Sequence, residues 1–181
     1  MDNRVLFIGG ASGSGKTTAA AVLAQELGLH CVHLDEFHYP LHHANRAGAI
    51  GRDLSVDLTR AICHRVVEQL LANGAACVVE GGWLTVRQAA DLMSDSRFSP
   101  LFCAFPEADP GERWRQMREG PGAHWLKTYN DARAIAWLER QVAESRDYRT
   151  ECCANDVAFV DCSDLTTATA SILSKMYSLL R

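Results

Sequence analysis

The chain has 181 residues, 48% hydrophobic and 22% charged, which suits one domain with a full core. Its formal net charge of -4 excludes a broad basic face for nucleic acid or for an anionic membrane. No apolar run reaches the length that spans a bilayer, and Met1-Asp2-Asn3-Arg4 leads into a short strand-like run rather than a signal peptide.

In chain order, Val5 to Ile8 reads as a first strand, followed by an Ala-rich helix over Gly15 to Leu27. His30 to Leu34 is a second strand. Asp57 to Ala72 has Leu58, Ile62, Val66 and Leu70 at helical spacing, which makes those four its inner face. Cys77 to Glu80 and Leu101 to Phe105 are the third and fourth strands. Helices follow over Asp109 to Arg118 and Thr128 to Arg146, then a fifth strand at Val157 to Val160 and a closing helix over Asp164 to Leu180. Short apolar strands separated by helices imply an α/β fold, a parallel sheet with helices on both faces. The segment 38–53 carries Pro40, Gly48 and Gly51, follows neither period, and is expected to be an irregular, functional loop.

The seven cysteines are odd in number, and no two form a Cys-x-x-Cys pair, so neither a zinc ribbon nor a thioredoxin-type site is signalled. Several lie in apolar runs, where Cys acts as a small hydrophobe. The cytosol suits this usage best.

The strongest signal is Gly10-Ala11-Ser12-Gly13-Ser14-Gly15-Lys16-Thr17, a Walker A pattern between an apolar strand and a helix. Glycines let the backbone curl around phosphate, and N–H groups at a helix start attract anions. Lys16 is placed for the β- and γ-phosphates of ATP, and the Thr17 hydroxyl for Mg²⁺. Gly10, Ser12, Gly13, Ser14, Gly15 and Thr18 complete the nucleotide-binding set. A glycine-rich connecting turn would not explain a lysine at the mouth of the helix.

Asp35 and Glu80 each follow an apolar strand, so a parallel sheet carries both to the edge that holds the P-loop. Asp35 is the candidate to deprotonate an acceptor hydroxyl, and Glu80 to hold Mg²⁺ or its waters, with the two roles exchangeable. Either carboxylate could instead cap a helix or sit in a loop.

These elements resemble the nucleoside and nucleotide kinase group of P-loop proteins. Gly10 to Thr18 is similar to the opening of uridine-kinase-like enzymes. Leu34-Asp35-Glu36-Phe37-His38-Tyr39 resembles their Asp-x-Phe-Tyr element, with Glu36 and His38 stretching the spacing, and Val78 to Trp83 resembles their acidic-Gly element. The resemblance implies a three-layer P-loop sandwich with a five-stranded parallel sheet of order 2-3-1-4-5. The absence of repeats and of a low-complexity linker points to one domain over 1–181 with the irregular 38–53 segment as substrate loop, and the resemblance adds a lid-like segment at 111–127. The resemblance also implies that Asp161-Cys162-Ser163 lies beside the adenine. Resemblance to small "topology modulation" P-loop proteins leaves a regulatory role with little turnover open.

Phosphoryl transfer needs positive charge on the migrating group. Arg115 and Arg118 lie on one helical face in the lid-like segment, with Gly120-Pro121-Gly122 as a hinge; a solvated face paired with Glu112 and Glu119 is the other reading. His38, Tyr39 and Trp83 are candidate contacts for a ring-bearing acceptor, together with Asp35 and Glu80; packing is the alternative for Trp83. Asp35, His38, His42 and His43 offer a zinc site as a competing use of the same residues. The expectation is a cytoplasmic enzyme that moves the γ-phosphoryl group of ATP to a small hydroxyl-bearing, nucleoside-like acceptor. A nucleotide or cofactor-precursor kinase is the alternative. The oligomeric state stays open.

Overall fold

The computed structural model describes residues 3–120 and 125–180. Strand β1 (Val5–Gly10) has all six residues buried because it is the middle of the sheet. β3 (Cys77–Glu80) and β4 (Phe98–Ala104) flank it, β2 (His30–His33) lies outside β3, and β5 (Ala158–Asp161) lies outside β4. Every pairing is parallel, with Val5 beside both Cys77 and Phe98, and the order is β2-β3-β1-β4-β5, as expected.

Side chains alternate across a strand, so β1 feeds two cores. Leu6 and Ile8 pack with Ala19, Ala20 and Leu23 of α1 (Lys16–Leu27) and with Ile172 and Met176 of α7 (Ala168–Leu179). Val5 and Phe7 face the other way, onto α3 (Arg52–Ala72), α4 (Val86–Leu92) and Cys152 of α6 (Asp131–Ala154). Beyond the end of β4, Phe105 joins Trp114 of α5 (Pro110–Glu119) to Leu138 and Val142 of α6. The result is the three-layer architecture. Local chemistry sets the helix ends. Thr85 and Gln88 form a reciprocal capping box on α4, and the side chains of Asp109 and Asn130 accept N–H bonds at the starts of α5 and α6. All seven thiols are free. Among the described residues no helix is long and apolar enough to cross a membrane.

Two expectations need correction. The segment 38–53 is mostly helical: α2 runs Asp35–Arg46, and only residues 47–51 separate it from α3. Pro40 lies inside α2 and forfeits one backbone hydrogen bond, yet the helix persists by packing against α3 and through His38 Nδ1, 3.3 Å from Thr59 Oγ1. No residue of α2 is fully buried, and its inner stripe, Phe37, His38, Leu41, Ala44 and Asn45, is half-buried, with Phe37 packed against the core. On α3 the inner face is Ser55, Thr59, Cys63, Val67 and Leu71, one position on from the stripe expected. Val66 and Leu70 pack at its margin, while Leu58 and Ile62 are exposed.

Candidate functional site

The P-loop leaves β1 at Gly10 with φ of 111°, and a Cβ there would lie 2.1 Å from the Cys103 carbonyl oxygen. Only glycine allows that turn against β4. Gly13 and Gly15 repeat the left-handed backbone, with φ of 85° and 95°, and carry the chain into α1. Lys16 is buried, and its ammonium donates to the Ala11 carbonyl at 2.8 Å, so its charge is folded over the loop. Thr17 Oγ1 donates to Glu80 Oε2 at 3.3 Å. Glu80, at the end of β3, is 2% exposed, and its other oxygen lies 2.8 Å from His33 Nδ1.

Asp35 opens α2 just beyond β2 and reaches the same place. It lines a cavity of about 590 Å³ with Ser12, Gly13, Lys16, Thr17 and Met117. A glycine at position 81 permits this approach, because a Cβ there would lie 2.9 Å from Leu34 Cβ and 3.3 Å from Asp35 Oδ1. Leu165 and Ala168 close the cavity on the β5–α7 side, next to the Asp161-Cys162-Ser163 segment. The donor set fits a nucleotide and its magnesium. The loop curls as a phosphate cradle, and a hydroxyl beside a buried carboxylate suits a hard cation that keeps several waters.

The other expected residues lie elsewhere. The Trp83 ring stacks on His38, with centroids 4.2 Å apart and planes inclined by 27°. Burial, followed by the neighbouring His42, lowers the His38 pKa, against the opposing pull of Asp35. Tyr39 is 54% exposed. Among the described residues no three His, Cys, Asp or Glu side chains form a metal-holding group, so the histidines of α2 show no zinc cluster. Arg115 is held by Glu112 at 2.6 Å and Glu119 at 2.8 Å, and Arg118 by Asp131 at 3.0 Å. The ion pair with Arg115 holds the Glu112 carboxyl below its usual range. Of the expected hinge, Pro121 and Gly122 lie outside the described residues.

Three residues near the loop have partners that the sequence does not indicate. His33 reaches Glu80 from β2, Gln141 Oε1 accepts from the Ser12 amide at 3.3 Å, and the buried Arg113 touches the Gly13 carbonyl. Each acts across a long stretch of chain, so no local motif marks it. A second cavity of about 470 Å³ opens beside Gly82 and Trp83, with Arg60, Glu144, Asp147 and Tyr148 on its other walls.

Residues 5–151 match the model of the AAA domain family. The chain belongs to that family. No curated protein sequence matches this AAA-domain protein. Its fold is that of several solved structures. A shikimate kinase from Bacteroides thetaiotaomicron superposes with a TM-score of 0.63 at 16% identity, covering 97% of this chain and 96% of its own. A gluconokinase from Sinorhizobium meliloti gives 0.62 at 17% identity, covering 97% and 92%. A sugar kinase from Janibacter sp. gives 0.64 at 19% identity, covering 98% and 94%.

Proposed function

We propose that this AAA-domain protein is a phosphotransferase that moves the γ-phosphoryl group of Mg-ATP to the hydroxyl of a small molecule. One observation carries the reading: Asp35 opens onto the cavity that Lys16 and Thr17 line. The kinase names borne by proteins of the same fold agree with it.

Each residue then has a physical task. P-loop amides and Lys16 hold the β- and γ-phosphates, where their charge opposes the build-up on the migrating group. Thr17 and Glu80 would hold Mg²⁺, which when bound would neutralise phosphate charge. Asp35 Oδ accepts the acceptor's hydroxyl proton as the new O–P bond forms and the bond to the ADP oxygen breaks. Arg115 and Arg118 exchange their carboxylates for phosphate oxygens when the lid-like segment closes.

The acceptor is a neutral, hydroxylated, ring-bearing compound of nucleoside type. Its ring would sit in the second cavity, which Asp35 does not line, with the hydroxyl directed out of it toward Asp35 in the first. The aromatic walls of that second cavity, Trp83 and Tyr148, suit a flat ring, whereas Glu144, Asp147 and Glu151 outnumber Arg60 and repel a phosphorylated acceptor. It adjoins the P-loop through Gly82, where a Cβ would lie 3.6 Å from the Gly10 carbonyl.

Transfer of labelled γ-phosphate from ATP to panels of nucleosides, nucleotides, sugars and vitamins tests the proposal, with Lys16→Ala as control. Transfer to a nucleoside that is lost in folded Lys16→Ala is the expected result. Full activity in that variant would sink the assignment of the transfer to the P-loop site. Transfer to nucleoside monophosphates alone would replace the acceptor class and leave the kinase. Tight ATP binding with no acceptor at all would favour the regulatory alternative.

A further inference from the structure

The side chain of Arg113, on α5, is 1% exposed. Nη2 donates to the Gly13 carbonyl at 2.6 Å, while Nη1 donates to the carbonyls of Cys162 at 2.6 Å and Ser163 at 3.3 Å. The guanidinium carbon sits 4.0 Å from the centre of the Phe105 ring, and Nε has no hydrogen-bond partner. Its acceptors are thus backbone carbonyls and a π face rather than a carboxylate. Burial lowers its pKa to about 10, so it is still a cation at neutral pH.

A buried charge that no carboxylate touches, supported only through space by Asp161 and Asp164, carries a large desolvation cost. Packing alone does not call for one here, because Trp114 already anchors α5 in the core and bonds Asp131 through its indole N–H at 2.9 Å. The three carbonyls belong to the two segments that border the nucleotide cavity, the P-loop and the β5–α7 connection. A P-loop that turns its amides toward phosphate turns carbonyls away from it, and those oxygens need donors behind the loop. Arg113 supplies one, and it brings a positive charge to the protein side of an anion site, where water screens little.

We infer that Arg113 is a positioning residue of the nucleotide site, fixing the Gly13 peptide from behind and tying the P-loop to the β5–α7 connection. The effect on ATP rests on the phosphotransferase reading; the effect on the loop does not. Helix α5 therefore serves the site twice. Gln116 and Met117 line the cavity, while Arg113 braces its floor.

Two variants separate charge from volume: Arg113→Met keeps the bulk, and Arg113→Lys keeps a cation. Titration calorimetry with Mg-ATP and amide hydrogen exchange of the ligand-free protein are the readouts. Arg113→Met should weaken Mg-ATP by about tenfold or more, the scale of a lost charge-assisted hydrogen bond. Exchange should quicken over residues 11–17 and 162–166 while β1 and β4 keep their protection. Arg113→Lys should recover part of both, which a purely space-filling role would not. If Arg113→Met does not fold, exchange in Arg113→Lys confined to the same two segments carries the test. Unchanged exchange and affinity within twofold of wild type would overturn the inference. So would loss of protection spread evenly through the sheet with lysine no better than methionine. Faster exchange confined to these two segments in the variants, with a wild-type protein that binds no nucleotide, would uphold the brace and remove the phosphotransferase reading instead.

Discussion

Asp35 lies just past β2 and Glu80 ends the neighbouring parallel strand β3, yet the fold treats the two carboxylates differently. Glu80 is buried and engaged at both oxygens, by Thr17 and by His33. Among the described residues no hydrogen bond engages the Asp35 carboxylate, which opens onto the cavity. A carboxylate fixed beside the P-loop threonine suits a metal shell; a free one suits a proton acceptor. Asp35→Asn should therefore cut turnover on the order of a hundredfold while the ATP dissociation constant moves no more than about threefold. Steady-state kinetics paired with calorimetry make the comparison. Collapse of ATP binding with normal residual turnover would move Asp35 to the metal site and reopen the exchange of roles.

At the scale of elements, α3 shows how a helix chooses its inner face. Leu58, Ile62, Val66 and Leu70 form the more apolar stripe, but α2 and the sheet contact the adjacent one. Small polar side chains are what the inner face needs at its N-terminal end. Thr59 is fully buried there, donating to the Ser55 carbonyl at 2.7 Å and meeting His38 of α2. Cys63 packs below, its thiol 3.7 Å from the Leu34 carbonyl. Val67→Ala should cost about 2 kcal/mol because it opens a cavity in the core. Leu58→Ala, at a half-exposed position, should cost less than about 1 kcal/mol. Urea unfolding of the two variants gives the ranking, and a larger cost for Leu58→Ala would place the inner face on the stripe that hydrophobic spacing alone suggests.

For the whole molecule, binding links the site to global stability. The nucleotide cavity takes residues from the P-loop, α1, α2, α5 and α7, so a ligand there bridges most of the layers. A ligand held at a hundred times its dissociation constant adds about 2.7 kcal/mol to the folded state. For a domain of this size that raises the melting temperature by roughly 5 to 10 °C. Mg-ATP should produce this shift in the wild-type protein and leave Lys16→Ala nearly unmoved, as read by scanning calorimetry. An equal shift in both would mean that ATP binds somewhere other than the P-loop.

Much of this architecture is legible in the chain itself, for reasons that are local. Five apolar runs, each too short for a helix, and a Walker pattern between the first run and a helix determine an α/β sheet with a P-loop at its edge. The connection from β2 to α3 is less legible, since α2 contains a proline and its half-buried stripe mixes Phe37, Leu41 and Ala44 with His38 and Asn45. Position along the chain also cannot tell which polar groups meet. Arg113 lies 100 residues from Gly13, His33 lies 47 from Glu80, and Gln141 lies 129 from Ser12. Of the three arginines on α5, Arg115 and Arg118, which share one helical face by their spacing, are paired with carboxylates, whereas Arg113 reaches the P-loop backbone. Backbone hydrogen bonding and hydrophobic period act between near neighbours and are written in the sequence. Partners for buried charges and for outward-facing carbonyls are chosen only when layers meet, and that choice belongs to the tertiary structure.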